Sequence, residues 1–276
     1  MNKFILILLA IIGPAFMQAQ DTKRIVATSP AISETIHFLG LGKSIVGTDI
    51  TSSYPPYLNE VPKLGRGSDI SFEGILSLNP THVVINTDQL SAKQQKQLRA
   101  LDIQVLAIDH TLSLDGTKKL IAEVAAFLSE RQKGEQVIQQ YALPMERLQD
   151  FSTAPKVLFI YARGAGQLLV GGRDTQMHEV ITLSKAENAA QAISGYKPLT
   201  TEALVELNPD VVLLFDHGSK SLNGINGVMQ IPGLQLTTAG KEKNILSMEA
   251  SYLAGFGPRQ AQAIQELNTQ LHGLNF

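Results

Sequence analysis

Ser71-Phe72-Glu73-Gly74-Ile75-Leu76-Ser77-Leu78-Asn79-Pro80-Thr81-His82-Val83-Val84 is answered 129 residues later by Thr200-Thr201-Glu202-Ala203-Leu204-Val205-Glu206-Leu207-Asn208-Pro209-Asp210-Val211-Val212-Leu213. Each copy opens on a hydroxyl residue that can N-cap a helix by accepting from its free backbone N–H groups, and each places a Glu in the first turn. Ile75 with Leu78, and Leu204 with Leu207, give a short helix one apolar face. The Asn-Pro pair then ends it, because the proline ring bars continuation. A β-branched or Leu-rich run follows each corner, Val83-Val84-Ile85 or Val211-Val212-Leu213-Leu214, without polar alternation. Such runs read as strands of a parallel sheet covered on both faces. The unit is cap, short helix, corner and buried strand, once in each half of the chain.

Outward from this unit the same alternation continues. Arg24 to Thr28, Ile45 to Asp49 and Val105 to Asp109 read as strands in the first half, with helices over Ser33 to Leu39 and Ser91 to Leu101. The second half repeats the order with a strand over Lys156 to Tyr161, a Gly-rich loop from Gly164 to Gly172, a helix over Met177 to Leu183 and a loop through Gly195-Tyr196-Lys197-Pro198. A helix from Pro258 to Leu271 closes the chain. Between the halves runs a helical tract with apolar faces on Leu120, Val124, Phe127 and Leu128, then on Val137, Ile138, Tyr141, Met145 and Leu148, kinked at Pro144. The fold class predicted is α/β, two Rossmann-like lobes with parallel sheets joined by a long helix. The expected boundaries are a leader over 1–20, an N-terminal lobe over 21–128, a linker helix over 129–152 and a C-terminal lobe over 153–276.

The leader reading rests on Lys3, the apolar run from Phe4 to Ile12 and small residues near Ala19, the pattern of a cleaved secretory signal peptide. The expected location is therefore the periplasm, as a soluble chain. The sequence contains no cysteine, so disulfides, thiol nucleophiles and a lipid-anchored N-terminus are excluded. Loss of Lys3 leaves 22 basic against 25 acidic side chains, a mildly acidic balance with no electrostatic footprint for nucleic acid. Neither GxxxxGK[ST] nor GxGxxG occurs in the Gly-rich loop, and GxSxG and HExxH are missing as well. No catalytic residue is nominated and the chain reads as a non-enzyme.

In open α/β sheets, ligands bind beyond the carboxyl ends of the strands. That rule nominates Ser29, Asp88, Asp109 and His110 in the first lobe, with Arg163, Asp216 and His217 in the second; Arg66, His178, Met248 and Tyr252 are loop candidates. Two similar lobes with facing loops make a clamp.

Several of these segments resemble a known family. Ile25-Val26-Ala27 to Gly47, the Asp49 to Pro56 loop, Ser71 to Pro80, Gly195-Tyr196-Lys197-Pro198 and Gly255-Phe256-Gly257-Pro258-Arg259 are similar to periplasmic substrate-binding proteins of ABC importers for iron complexes and cobalamin, nearest to the haem-binding members. The resemblance implies the class III periplasmic binding architecture, haem as the transported ligand with no catalytic cofactor, a monomer, and an ABC permease dimer as partner. A ferric siderophore or a corrinoid is the alternative ligand, and an exported hydrolase or chelatase the alternative from another class. It also implies that Glu73 and Glu202 dock into the permease. Haem-binding members commonly carry an iron-ligating Tyr after the Gly that precedes the Ser-x-Glu-Gly segment, whereas here Gly65 is followed by Arg66. A guanidinium does not ligate iron but suits a propionate. The ligand-binding set is then Ser29, Arg66, Asp88, His110, Arg163, His178, His217 and Tyr252, with His178, His217 and Tyr252 as candidate iron ligands.

Overall fold

The computed structural model describes residues 23–164, 166 and 168–275. The leader expected over 1–20 lies outside the described residues. The first sheet is four-stranded and wholly parallel, with spatial order β2-β1-β3-β4. Its strands are β1 (Ile25–Ala27), β2 (Ile45–Thr48), β3 (His82–Asn86) and β4 (Gln104–Ile108). Helices α1 (Pro30–Ile36), α2 (Phe72–Ser77), α3 (Ala92–Arg99) and α4 (Leu114–Phe127) accompany it. One apolar layer, with Ile32, Ile36, Leu120 and Val124, covers the face that carries Ile25 and Val84, and a second, with Ile75 and Leu98, covers the face that carries Val83 and Ile85. The unbroken apolar strands follow from this two-sided cover.

The helical tract between the sheets is two helices, α4 and α5 (Arg131–Ala142), separated at Leu128–Glu130 with Ser129 left-handed at φ 62°. At Gly134 of α5 a Cβ would collide with Ala125 of α4, so a glycine is required for the two helices to lie this close. Pro144 stands in a 3-10 turn, Leu143–Arg147, that ends α5.

The second sheet holds β5 (Lys156–Ala162), β6 (Leu168–Gly171), β7 (Glu187–Asn188), β8 (Tyr196–Pro198), β9 (Val211–Phe215) and β10 (Ile245–Met248). Helices α6 (Gln176–Leu183), α7 (Thr201–Leu207), α8 (Asp216–Ser221), α9 (Ile225–Val228), α10 (Thr238–Glu242), α11 (Ala250–Ala254) and α12 (Gln260–His272) complete the lobe. Its order is β10-β9-β5-β6-β8, with β7 beside β5. Parallel pairing holds for β10, β9, β5 and β7, but β6 runs antiparallel to both β5 and β8. The sheet is therefore mixed, not parallel as the sequence pattern suggests. The expected loops at Gly164 to Gly172 and Gly195 to Pro198 contain these two strands, whose short pairings extend the sheet on its β5 side. Met248, expected in a loop, ends β10 and is buried in the core.

Both copies of the repeated unit fold alike. Ser71 Oγ accepts from Gly74 N at 2.9 Å and Thr200 Oγ1 from Ala203 N at 3.1 Å, caps worth about 1 kcal/mol each. The corners turn on Asn79 and Asn208, left-handed at φ 45° and 37°. Asparagine tolerates that region better than most side chains, and the proline after it keeps the helix from resuming.

Candidate functional site

A cleft of about 600 Å³ opens between the lobes, within the ~300–1,000 Å³ range of small-molecule sites. The carboxyl ends of the parallel strands supply it. Ser29 follows β1 and caps α1, Asn86 ends β3, and His110 lies two residues past β4; from the other lobe Tyr161 comes from β5, Phe215 ends β9, and His217 follows in the first turn of α8. Ile50 and Leu112 add apolar surface to the first wall, while Gln176, Glu249, Ala250, Ser251, Ala254 and Gly255 add to the second.

Arg66 reaches the cleft because of the backbone beneath it. Ile50 N donates to Gly65 O at 2.9 Å, and Gly65 is left-handed at φ 108° with Asp69 O packed where a Cβ would stand. Only glycine fits there, and Arg66 is projected from the next residue. Its guanidinium is exposed and forms no ion pair among the described residues. It is a free, forked cation at the edge of a cleft lined by rings, apolar side chains and neutral polar groups, with Glu249 on the other wall.

The second wall is a cluster of rings. Tyr161 lies 6.2 Å from Phe215 and 6.3 Å from both His217 and Tyr196. Arg163 Nε donates to the Tyr161 phenol oxygen at 2.8 Å, with its guanidinium 5.3 Å from that ring's centre. The contact orients the phenol and sets a positive charge beside its oxygen. Burial, with Tyr161 nearby, pushes the Tyr196 phenol up to about 12, so Tyr196 contributes a neutral ring.

Across the cleft, burial holds the His110 imidazole below its usual range, opposed by a hydrogen bond to the Phe256 carbonyl. Its Nε2 is buried without a hydrogen-bond partner, as is Asn86 Oδ1. Because Nε2 is shut off from the cleft, the His110 ring has to turn before that nitrogen can meet a metal ion there.

Of the eight ligand candidates from sequence, Ser29, Arg66, His110 and His217 line the cleft. The other four stand elsewhere. Asp88 is exposed in the turn after β3, because the neighbouring Gln89 takes the inward place, donating to Thr28 O at 2.8 Å and accepting from Asn86 N at 2.8 Å. Arg163 acts on Tyr161 and does not itself line the cleft. His178 belongs to the packing of α6, its Nδ1 3.3 Å from Asn188 Nδ2. Tyr252 donates to Glu266 at 3.0 Å; burial first, and Glu266 second, push its phenol far above the usual range, so a phenolate there is disfavoured. Sequence reasoning missed Tyr161, Phe215, Asn86 and Gln176. The carboxyl-end rule could have found Tyr161 had it been applied to the last residues of a strand as well as to those beyond it.

Burial also lowers His37, with Arg259 adding repulsion, and His82, with Lys23 adding repulsion. A depressed histidine contributes stability above its unfolded value of about 6.5, and that contribution is lost as pH falls through the folded value. Melting temperature is therefore expected to hold steady from pH 8 to 7 and to fall below about 6.5. His110→Gln should take up one proton fewer on acid unfolding. An unchanged acid slope in that variant would show that His110 is not among the groups responsible.

The fold matches proteins already known. The structure superposes on the periplasmic heme-binding protein RhuT from Roseiflexus sp. RS-1 with a TM-score of 0.84 and 35% identity, covering 91% of this chain and 98% of that one. The periplasmic heme-binding protein BhuT, in complex with two hemes, matches with a TM-score of 0.83 and 31% identity over 91% of this chain and 98% of its own. Among curated sequences, an uncharacterized ABC transporter substrate-binding lipoprotein of Bacillus subtilis, YvrC, is 26% identical over 260 residues, which is 92% of this chain and 81% of that protein. Residues 25–252 match the model of the periplasmic binding protein family. That match covers most of the chain, which belongs to the periplasmic binding protein family, whose members bind substrates for transport and are not enzymes.

Proposed function

We propose that this protein captures haem in the interlobe cleft and delivers it to an ABC permease. The observation that carries the reading is an oxygen ligand oriented on one wall, Tyr161 held by Arg163, combined with an unpaired guanidinium, Arg66, at the same cleft. Ferric iron takes phenolate or imidazole, and a fork of N–H donors takes a propionate. Tyr161 and His110 are the axial candidates, one from each lobe. His217 lines the cleft, but no hydrogen bond to its ring orients it among the described residues, unlike the usual pattern for a ligating histidine. The heme-binding structural relatives support haem over a siderophore or corrinoid.

The protein works in the periplasm as a soluble monomer once its leader is removed near Ala19 or Gln20, with lobes of about 21–128 and 153–276 on either side of the helical connection at 129–152. Among the described residues no helix is long and apolar enough to cross a membrane. Glu73 and Glu202 serve as the permease-facing charges.

Titration with hemin is expected to give a single Soret transition that saturates at one equivalent, with the porphyrin recovered unchanged after long incubation. Release of iron to leave the free porphyrin would instead mark a chelatase acting in reverse, and hydrolysis of a propionate diester an exported hydrolase. Arg66→Ala should weaken hemin by roughly ten- to a hundredfold, the ~1.5–3 kcal/mol of a charge-assisted hydrogen bond, and should barely affect a propionate diester. Equal losses for both ligands would remove Arg66 from propionate recognition, and tighter binding of cobalamin than hemin would overturn the ligand.

A further inference from the structure

The floor of the cleft is a seam between lobes. On one side Ser29, Pro30 and Ala31 begin α1, and on the other Ala254 and Gly255 end α11. Directly behind this floor, besides the His110 hydrogen bond to the Phe256 carbonyl, three contacts tie the segment Gly255–Arg259 to the first lobe. Thr117 Oγ1, buried in α4, donates to Phe256 O at 2.8 Å. Phe256 itself is left-handed at φ 49°, held there by Gln260 Oε1, which accepts from its N–H at 3.0 Å. Gly257 lies so close to α1 that a Cβ would come within 3.2 Å of both Ala31 Cα and Glu34 Oε2.

The third contact is the strongest electrostatically. Arg259 clasps Glu34 with both arms of its fork, Nε to Oε2 at 3.0 Å and Nη2 to Oε1 at 2.5 Å. The guanidinium also lies 3.6 Å over the Tyr54 ring and 4.9 Å from the Tyr252 ring. The side chains are only 15% and 3% exposed, so the carboxylate has left water and the guanidinium largely so. A buried ion pair contributes little stability compared with an apolar pair of similar volume, because desolvation offsets the attraction. What a planar bidentate contact supplies is a fixed distance and angle. Neither residue lines the cleft, so neither contacts a ligand there.

We infer that Glu34 and Arg259 are positioning residues that set the separation of the two cleft walls, so that one ligand can be gripped from both lobes at once. This rests on the cleft being the binding site; the wall separation can be measured without any ligand. The sequence has no cysteine, so introducing a pair at Asp88 and Lys197, exposed positions on opposite lobes, gives two unique spin-label sites. In ligand-free protein the wild-type background should give one narrow interlobe distance. Arg259→Lys, which keeps the charge and loses the fork, and Glu34→Gln, which keeps the shape and loses the charge, should both broaden or shift it. Ile75→Val, a destabilising change within the first lobe's core, should not. The same two variants should raise the hemin dissociation rate about tenfold and give a mixed coordination spectrum. An unchanged distance distribution in folded Arg259→Lys and Glu34→Gln overturns the inference. So does an equal broadening in Ile75→Val, which would reflect general destabilisation. Should Arg259→Lys fail to fold, Tyr54→Leu removes the ring beneath the guanidinium, which also meets His37 edge-on, and carries the same test. If hemin does not bind the unmodified protein, the ligand reading fails while the distance result still decides the seam.

Discussion

Reversing charge at both Glu73 and Glu202 is expected to abolish haem delivery while leaving hemin affinity and melting temperature almost unchanged. Both carboxylates are exposed in first turns, and neither enters an ion pair among the described residues. The helix dipole favours an acidic residue there by roughly 0.3–1 kcal/mol, which would account for one such Glu on its own. Placement argues for more. Each helix runs through an Asn-Pro corner into its strand, so its start faces toward that strand's carboxyl end, the end from which the cleft opens. The two charges thus stand one per lobe in matching first turns, as a two-fold partner would require. Exposed interfacial charges act mainly through steering and register, so docking should also weaken steeply with salt. Uptake assays in cells, beside hemin titration of the purified Glu73→Lys, Glu202→Lys double variant, separate the possibilities. Normal uptake, or lost hemin binding in isolation, returns the pair to a role in helix structure alone.

The second large effect is expected at Tyr161. Removing its oxygen in Tyr161→Phe should eliminate phenolate-to-iron charge-transfer absorption, shift the Soret band and weaken hemin by more than about a hundredfold. Arg163→Ala, which leaves the phenol in place without its hydrogen bond, should shift the same band and weaken binding by about 10–100-fold, as for other groups that orient a ligand. His110→Ala should lower the iron's coordination number from six to five. By contrast, His178→Ala and Tyr252→Phe should leave the spectrum as it was, because those side chains bond to Asn188 and Glu266 away from the cleft. A Soret band unmoved in Tyr161→Phe but altered in His217→Ala would transfer the ligand role to His217.

Much of the fold is legible where local chemistry and tertiary need agree. The caps at Ser71 and Thr200, the apolar helix faces and the β-branched runs each encode their conformation within a few residues. The antiparallel strands β6 and β8 do not. Leu168 to Gly171 and Tyr196 to Pro198 are short, flanked by glycines and paired with each other across the intervening helix α6, so no local periodicity announces them. The site is legible to a smaller degree. Strand order says which ends converge, which found Ser29, His110 and His217. Direction is decided by neighbours: whether Asp88 or Gln89 turns inward depends on Thr28, some sixty residues away, and whether Tyr252 meets ligand or Glu266 depends on how α11 packs against α12.

The seam at Arg259 also bears on how the chain is built. The described strands of each sheet come from one continuous half of the sequence, whereas Arg259 and Glu34 are 225 residues apart and Thr117 and Phe256 are 139 apart. Closing loops of that length costs entropy that short-range pairing does not, so native contacts of this separation form slowly. The parallel sheet of the first lobe, whose strands all lie between Ile25 and Ile108, can form without Phe256 or Arg259. The seam between the lobes is then expected to form after the first lobe's own sheet, and the cleft has both its walls in place only once that seam has closed.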